Sequence, residues 1–249
     1  MSFSTRTKRC RWHRNVCIDK NKCGLVQIGE YGIVQARAAD RERILHFLRL
    51  YFYTEEPLNV AMGGPPSAAD EEDTLALLEH GLSYLVVGCD GTLLGVVLSG
   101  PVRPDEADHM EALAASCGCA KFSKLLRFLA AVERRADVWR LSGATRALSV
   151  QALAVLPAAR GRGFGLSLLQ RTRAAAQAAG YPLFRLDCSS CYSAQLAERL
   201  GMQCVHSLPY TQYTDVDGHP VFDIPSPHLE MRTYIQSIEC SGPLWSLER

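Results

Sequence analysis

The sequence lacks the features of several common protein classes. No stretch approaches the ~20 consecutive apolar residues that a membrane helix needs, and no apolar signal core stands near the N-terminus. There is neither a Gly-Lys-Ser/Thr loop for a nucleoside triphosphate nor a G-x-G-x-x-G turn for a dinucleotide. Internal repeats and low-complexity linkers are missing as well. We therefore expect a cytoplasmic protein without a membrane partner, and without either common nucleotide-binding loop.

What remains is an ordinary globular composition. The 249 residues are 47% hydrophobic and 8% aromatic, which suits one large domain. Ten cysteines without a secretion signal are expected to be reduced thiols. The predicted organisation is a domain over residues 25–240, a C-terminal tail over 241–249 and a monomeric chain.

The net charge of +1 conceals an uneven distribution. Residues 1–24 hold seven Lys or Arg against the single acid Asp19, so this segment carries +6 and the remainder −5. We interpret 1–24 as a disordered basic tail: a mitochondrial presequence, a nucleic-acid contact or an isoform-specific extension. The last is favoured because the tail has no apolar face, and we expect no nucleic-acid partner. A mildly acidic body suits a cationic substrate.

Hydrophobic periodicity predicts strands interleaved with helices, which is typical of a mixed α/β sheet. A Pro after two carboxylates predicts extended or turning backbone at Glu55–Asn59. Residues 101–123 are predicted to be a polar connection or a short helix. The predicted strands are 31–36, 83–88, 93–99, the apolar run that ends at Pro157, 183–186 and segments around Tyr210 and Met231; the predicted helices are 40–52, 70–79, 124–139, 166–180 and 193–200.

The stretch from Val150 to Gly165 is the centre of this pattern, because it reads as a strand, a glycine loop and a helix N-terminus. Unpaired N–H groups and the helix dipole at such a junction favour an anion, and glycines let a phosphate approach the backbone. Arg160 and Arg162 add side-chain charge. The loop is therefore a candidate pyrophosphate site, formed by Arg160, Gly161, Arg162, Gly163, Phe164 and Gly165.

Three motifs in order tie the chain to a family. Arg160–Gly165 resembles the R-x-x-G-x-G/A loop that holds the pyrophosphate of acetyl-CoA in the GCN5-related N-acetyltransferase (GNAT) superfamily. Glu55–Asn59 is similar to the (D/E)-E-P-L-N segment, and Cys188–Ala194 to the C-S-S-x-Y-S-A segment, of insect-type arylalkylamine N-acetyltransferases. The resemblance spans about residues 30–238. It implies a single-domain GNAT fold, in which helices flank a mixed sheet of about seven strands.

The resemblance also implies roles for individual residues. Glu56 matches the family's catalytic glutamate, which takes the proton from the amine, and aromatic neighbours of this carboxylate would help to attract a cation. Ser189 and Ser193 match two serines implicated in proton relay and in protonation of the departing thiolate. Ser193 has an equal alternative as the N-cap of the next helix. Tyr192 is an alternative acid.

The main chain of the strand before the loop has its own implied role. Backbone N–H groups of the segment Leu153, Ala154 and Val155 would polarise the thioester carbonyl, as they do in this superfamily. The side chains of these residues are otherwise ordinary strand residues.

The predicted function is acetyl-CoA-dependent N-acetylation of a small arylalkylamine such as dopamine, tyramine or serotonin. The sequence contains no Ser-His-Asp arrangement, so we expect direct attack in a ternary complex rather than an acyl-enzyme. Two alternatives remain open: an agmatine or polyamine acetyltransferase on the same fold, and a non-catalytic acyl-CoA-binding module.

Two cysteine pairs, Cys117 with Cys119 and Cys188 with Cys191, raise the question of a metal site. A zinc site needs two such pairs to converge with suitable turn geometry. The second pair lies at a predicted strand end, and the seven histidines are scattered. We therefore expect no metal.

Overall fold

The computed structural model describes residues 31–238 of the chain. Residues 1–30 and 239–249 lie outside this range, and so do both predicted tails and the two ends of the predicted domain.

The described chain forms a seven-stranded sheet flanked by helices, which confirms the predicted mixed α/β architecture in a single domain. The strands run in the spatial order β1-β2-β3-β4-β5-β7-β6. Only β4 and β5 pair in parallel; the other neighbours are antiparallel. The strands are β1 (Tyr31–Gln35), β2 (Tyr84–Gly88), β3 (Leu93–Val102), β4 (Ala147–Val155), β5 (Leu183–Cys188), β6 (Gln203–Pro209) and β7 (Glu230–Ser237).

Helices cover both faces of the sheet. On one face α7 buries Leu168 and Leu169 against β2, β3 and β4, and on the other α1 buries Ile44 and Leu48. The helices are α1 (Arg41–Tyr51), α2 (Pro57–Met62), α3 (Ala68–Ala76), α4 (Glu106–Ser116), α5 (Ala120–Ala136), α6 (Val138–Ser142), α7 (Phe164–Ala178) and α8 (Cys191–Arg199).

The central strand β4 is paired unequally on its two sides. It follows β3 from end to end, but it pairs with β5 through three residues only, Leu148 to Val150. Leu98 pairs with Ala152 and Ser99 with Val150, so Gln151 is an extra residue that forms a β-bulge. Bulges bend a strand and end regular pairing. From Gln151 onward the side of β4 that faces β5 is therefore open.

Two expectations about local structure were wrong, and of the two forms predicted for residues 101–123 the helix is the one observed. Residues 57–62 form α2, because Pro is compatible with the first position of a helix and Glu56 caps it. The segment 101–123 contains the end of β3, α4 and the start of α5, in which Met110, Leu113 and Ala114 share one apolar face. The strand expected around Tyr210 ends at Pro209, which has no N–H for further pairing, and Tyr210 begins a 3-10 turn.

A buried ion cluster ties α5 to the sheet. Arg185 of β5 has a side chain only 3% exposed and pairs with Glu133 of α5 and, at 2.9 Å, with Asp187. Glu133 also accepts a 2.7 Å hydrogen bond from the indole of Trp139. Removal of one member leaves buried charge without a full set of partners.

We expect Glu133→Ala to lower the free energy of unfolding by about 3–5 kcal/mol, because Arg185 loses a buried counter-ion. Glu72→Ala removes the exposed ion pair with Arg41 and should cost less than about 1 kcal/mol. Urea unfolding of both variants measures the difference. Equal losses would contradict the assignment of Arg185 as a buried structural charge.

Candidate active site

The predicted pyrophosphate loop has the backbone of an anion cradle. Gly161 has φ 74° and Gly163, the residue that precedes α7, has φ 81°. A Cβ built on either glycine would meet no atom within 4 Å, so the space in front of the loop is open. Gly165 serves a different purpose, because its Cβ would lie 3.0 Å from Cδ1 of Leu196. It lets α7 pack closely on α8.

The open side of β4 leads into this loop. The N–H of Leu156 donates to Leu94 of β3 at 2.9 Å. Since amide direction alternates along an antiparallel strand, the N–H groups of Leu153 and Val155 point away from β3, toward the open side. Ala154 is buried, whereas Leu153 and Val155 are half-buried. Two of the three donors expected to polarise a carbonyl therefore line the gap between β4 and β5, whereas the N–H of Ala154 faces β3.

Arg160 links this loop to the segment between α1 and α2. Its Nε donates to the carbonyl oxygen of Val155 at 3.1 Å, and its guanidinium forms an ion pair with Glu55. Both side chains of the pair are partly exposed. Arg162 is also exposed. Glu55, which sequence reasoning left without a role, joins the two motifs physically.

Glu56 is the N-cap of α2, and its half-buried carboxylate is held by three donors. Oε1 accepts from the N–H of Leu58 at 3.1 Å. Oε2 accepts from both the backbone N–H and the side-chain Nδ2 of Asn59, each at 2.8 Å. The proposed base thus has a fixed orientation in this structure.

Tyr210 connects Glu56 with the serine motif. Its hydroxyl donates to the carbonyl oxygen of Ser189 at 2.7 Å, and its ring is 2% exposed. Burial and then the nearby charge of Glu56 raise the pKa of the Tyr210 phenol. The phenol therefore remains protonated at neutral pH, and it brings the Ser189 backbone and the Glu56 carboxylate into one neighbourhood.

The two other serines of the motif cap α8. Ser190 is the N-cap, and its Oγ accepts from the N–H of Ser193 at 3.1 Å. Ser193 Oγ lies 2.9 Å from Ser190 Oγ and donates to the Ser190 carbonyl at 2.9 Å. The expected N-cap at Ser193 was wrong by three residues, because the helix begins at Cys191. Ser193 completes a reciprocal capping box instead.

A histidine from the loop before β7 also reaches this helix start. Nδ1 of His228 accepts from the N–H of Cys191 at 3.3 Å. Its ring packs edge-on against Tyr192 at 5.3 Å, and Tyr192 is 63% exposed. The alternative acid considered from the sequence is therefore accessible to a ligand. Burial, by contrast, raises the pKa of the Cys188 thiol to about 12.

A second carboxyl group lies near Glu56. Asp70 of α3 is 7% exposed, and burial, together with the charge of Asp73, raises its pKa to about 6; Lys121 opposes this and Glu56 adds to it. Tyr53 is buried beside it and donates to Thr74 at 3.2 Å. The base is therefore accompanied by a buried acid that is mostly ionised at neutral pH.

Aromatic side chains pack close to this acidic region. The Phe128 ring centroid lies 5.9 Å from that of Tyr210 and 4.9 Å from those of Tyr213 and Phe222. Leu58 of α2 belongs to the same buried cluster. An open groove of about 500 Å³ beyond Tyr213 is lined by Lys124 and Arg127 with one acid, Asp215, so its charge does not suit an ammonium group.

Sequence reasoning missed four residues of this region. Asn59 was only part of a motif, Asp70 only a helix start, Tyr210 only a strand centre, and His228 was not considered. A Ser67-x-x-Asp70 spacing does predict a helix start, but no pattern reveals that Asp70 is buried. The proximity of Tyr210 and His228 to α8 depends on tertiary structure alone.

The cysteine pairs do not gather into a metal site in the part of the chain that the structure describes. The cysteines there form no disulfide, and the one grouping close enough to share an ion is the exposed set Asp215, Asp217 and His219. Asp215 Oδ1 accepts from the N–H groups of Asp217 and His219, which is the pattern of a turn. Within residues 31–238 no helix has the length and apolarity required to cross a bilayer.

Comparison with solved structures finds N-acetyltransferases of similar fold. A Drosophila melanogaster polyamine N-acetyltransferase, an enzyme that catalyses the formation of N-acetylagmatine, is 32% identical over 84% of this chain and 100% of its own, with a TM-score of 0.78. A mosquito arylalkylamine N-acetyltransferase like 5b is 29% identical over 84% and 100%, with a TM-score of 0.80. An arylalkylamine N-acetyltransferase 2 from Aedes aegypti, 20% identical over 84% and 99% with a TM-score of 0.79, shares the fold.

No protein-family model matches the chain. The similarity to the solved structures is nevertheless sufficient: the chain belongs to the GNAT superfamily and is an insect arylalkylamine N-acetyltransferase-like member of it. Its neighbours are N-acetyltransferases, which supports transferase activity and amine N-acetylation, with acetyl-CoA as the implied donor.

The loop backbone makes a testable prediction. We expect Gly163→Ala to raise the KM for acetyl-CoA about tenfold, because alanine disfavours the left-handed conformation that aims the loop. Gly143→Ala is the matched control, since Gly143 has φ 66° and equally open surroundings after α6. Both variants should lose similar stability on heating. An unchanged KM in Gly163→Ala would contradict a cofactor role for the loop.

Proposed function

We propose that this protein transfers the acetyl group of acetyl-CoA to the primary amine of a small arylalkylamine, with Glu56 as the general base. The observation that carries the proposal is the position of Glu55 and Glu56. Glu55 pairs with Arg160 of the cofactor loop, while the charge of Glu56 acts on Tyr210, which contacts Ser189. Glu55 therefore reaches the proposed acetyl-CoA side of the site, and Glu56, the next residue, reaches the proposed amine side.

The chemistry assigned to these groups follows from what the reaction needs. A primary amine with a pKa of ~10 is almost fully protonated at neutral pH and cannot attack until a base removes a proton. In the proposed reaction Glu56 accepts that proton, directly or through one water. The amine nitrogen forms a bond to the thioester carbon and gives up its second proton, and the C–S bond breaks with its electron pair on sulfur. The sulfur ends as the CoA thiol, so one of the two protons released by the nitrogen is balanced there. The N–H groups of Leu153 and Val155 stabilise the developing oxyanion.

Return of a proton to the thiolate has three candidate groups, which are two serines and one tyrosine. Ser193 is held in the capping box, so its hydroxyl is occupied. Tyr192 is exposed, and a phenol as a class is a stronger acid than a serine hydroxyl. Ser189 presents its backbone carbonyl to Tyr210 and is itself half-buried. The proposal retains Ser189 and Ser193 at the thiolate, with Tyr192 as the alternative acid.

Glu56→Gln tests the base. We expect kcat to fall at least a hundredfold with the KM for acetyl-CoA unchanged within about threefold, because general-base catalysis contributes 10²–10⁴-fold. Release of free CoA thiol measures turnover. Glu55→Gln, the adjacent carboxylate, is the matched control and should change chiefly the KM for acetyl-CoA. Wild-type turnover in Glu56→Gln would remove the proposed mechanism.

An aromatic amine is the first candidate substrate because aromatic side chains adjoin the base. Tyr51 and Phe52 precede Glu56 in the chain and are half-buried, so their rings are available to an aryl group or an ammonium. Phe128, Tyr210 and Phe222 are buried and belong to the core. The mosquito neighbour named as arylalkylamine N-acetyltransferase-like supports the same class.

Agmatine or a polyamine is the second candidate, and Asp70 is the observation that favours it. Such substrates carry a second cationic group, and a buried carboxylate near Glu56 would complement it. The neighbour that forms N-acetylagmatine supports this class. A non-catalytic acyl-CoA-binding module has no comparable support, because nothing in such a module requires a second acid beside Glu56.

Asp70→Asn separates the two substrate classes. If agmatine is the substrate, we expect its kcat/KM to fall about tenfold or more while that of tyramine stays within about threefold, since only agmatine has a second charge to pair. Glu72→Gln, an exposed acid of the same helix, is the control. A carboxyl of pKa about 6 is neutral below that pH and ionised above it, so the wild-type agmatine-to-tyramine ratio should rise between about pH 5 and pH 7.

A second pattern of rates would assign the arylalkylamine class instead. Fast thiol release with dopamine, tyramine or serotonin, slow release with agmatine and spermidine, and no effect of Asp70→Asn would assign the arylalkylamine class. Binding of acetyl-CoA without acetyl transfer to any amine would contradict the proposed enzyme and favour the binding module.

A further inference from the structure

Asn59 is the residue of this site whose environment is hardest to explain by folding alone. It is 4% exposed, and its Oδ1 is a buried acceptor without a hydrogen-bond partner among the described residues. A buried unsatisfied polar atom costs about 1–3 kcal/mol. The first turn of a short helix does not need an asparagine at this position, and an apolar side chain of similar shape would avoid the loss.

The other end of the same amide explains why an asparagine is there. Nδ2 donates to Oε2 of Glu56 at 2.8 Å, and the backbone N–H of Asn59 donates to the same oxygen at 2.8 Å. The orientation of the amide is fixed by chemistry, because a flipped amide would set its oxygen against the carboxylate. The unsatisfied Oδ1 is therefore the consequence of keeping Nδ2 on Glu56.

The two oxygens of the Glu56 carboxylate accept different numbers of hydrogen bonds. Oε2 receives two short hydrogen bonds, both from Asn59. Oε1 receives one longer bond, 3.1 Å from the N–H of Leu58, and retains accepting capacity. A carboxylate held at one oxygen in this way cannot rotate freely, and its less occupied oxygen is the one available to take a proton.

We propose that Asn59 is a positioning residue for the reaction: its side-chain amide locks Oε2 of Glu56, so that Oε1 is the atom that accepts the proton of the substrate amine. This inference rests on the proposed function and adds the proton-accepting atom and the residue that orients it. Asn59 itself does not touch the substrate, because its Oδ1 is closed off from solvent.

The position predicts opposite effects on activity and stability. Asn59→Leu removes the hydrogen bond to Glu56 and the unsatisfied Oδ1 together. We expect kcat to fall ten- to hundredfold, since a hydrogen bond to a charged group is lost, while Tm stays within about 3 °C of the wild type or rises. A merely structural asparagine would lower Tm and leave kcat per folded molecule intact.

Asn59→Asp is tested through the pH profile of kcat/KM, which a loss of stability alone does not shift. It keeps the shape of the side chain and places a second carboxylate against Oε2 of Glu56. The charged groups already acting here are Asp70 of α3 and Lys121 of α5, which opposes it, and the neutral phenol of Tyr210 lies nearby. Glu55, next in the chain, is paired with Arg160. Added negative charge should move the acidic limb of the kcat/KM profile about one unit or more to higher pH.

Thr54→Val is the matched control. It removes the 2.7 Å hydrogen bond from Thr54 to the Leu50 carbonyl, two residues from Glu56, without touching the carboxylate. Its pH profile should superimpose on that of the wild type. A superimposable profile for Asn59→Asp, or an unchanged kcat for Asn59→Leu, would overturn the proposal.

A measurement without turnover separates this inference from the proposed function. Carboxyl ¹³C NMR of glutamate-labelled protein, with the Glu56 signal assigned by its loss in Glu56→Gln, follows the titration of Glu56 directly. We expect this signal to titrate at higher pH in Asn59→Asp than in the wild type. An unmoved titration would overturn the contact, whereas an inert wild-type protein with a moved titration would overturn the proposed function and leave the contact standing.

Discussion

The separation of β4 from β5 is the constraint on which the rest of the site depends. The two parallel strands share only three residue pairs before the bulge at Gln151 turns β4 aside. A fully paired sheet would consume the N–H groups of Leu153 and Val155 within its hydrogen-bond ladder. Because pairing stops, these donors face an open gap, and the loop that follows β4 directs α7 and its N-terminus toward the same gap.

A short segment of five residues, Glu55 to Asn59, closes the other side of the gap. Its first acid pairs with Arg160, its second caps α2, and its asparagine holds that cap in place. Capping a helix and orienting a base are one arrangement here, since the hydrogen bonds that satisfy the helix start also fix the carboxylate. This double role explains why the short helix α2 begins at Pro57 and contains the buried Asn59.

Much of the fold was accessible from the sequence, because strand and helix periods are local and the glycine loop has distinctive spacing. Six of the seven strands and the helix after Gly163 follow from such signals, whereas β6 ends before Tyr210 instead of spanning it. Helix α2 was not predicted, since the Pro that marks a turn also fits the first position of a helix. The N-cap was predicted at Ser193 and lies at Ser190, because two serines three residues apart give the same capping signal in a sequence. The remaining differences depend on burial. Asp70 and Asn59 are both polar residues in the sequence. Only the packed structure shows that burial raises the pKa of Asp70 and leaves Oδ1 of Asn59 without a hydrogen-bond partner among the described residues.

The central claim is that one site holds both substrates between β4, the glycine loop and the Glu55–Asn59 segment. A crystal structure of the protein with a bisubstrate analogue, in which CoA is joined to tyramine through an acetyl linker, tests this most directly. The account predicts pyrophosphate oxygens on the N–H groups of the loop from Gly161 to Gly165, and the amine nitrogen within hydrogen-bond reach of Glu56, directly or through one water. An analogue bound along the groove of Lys124 and Arg127, or with its amine remote from Glu56, would contradict it.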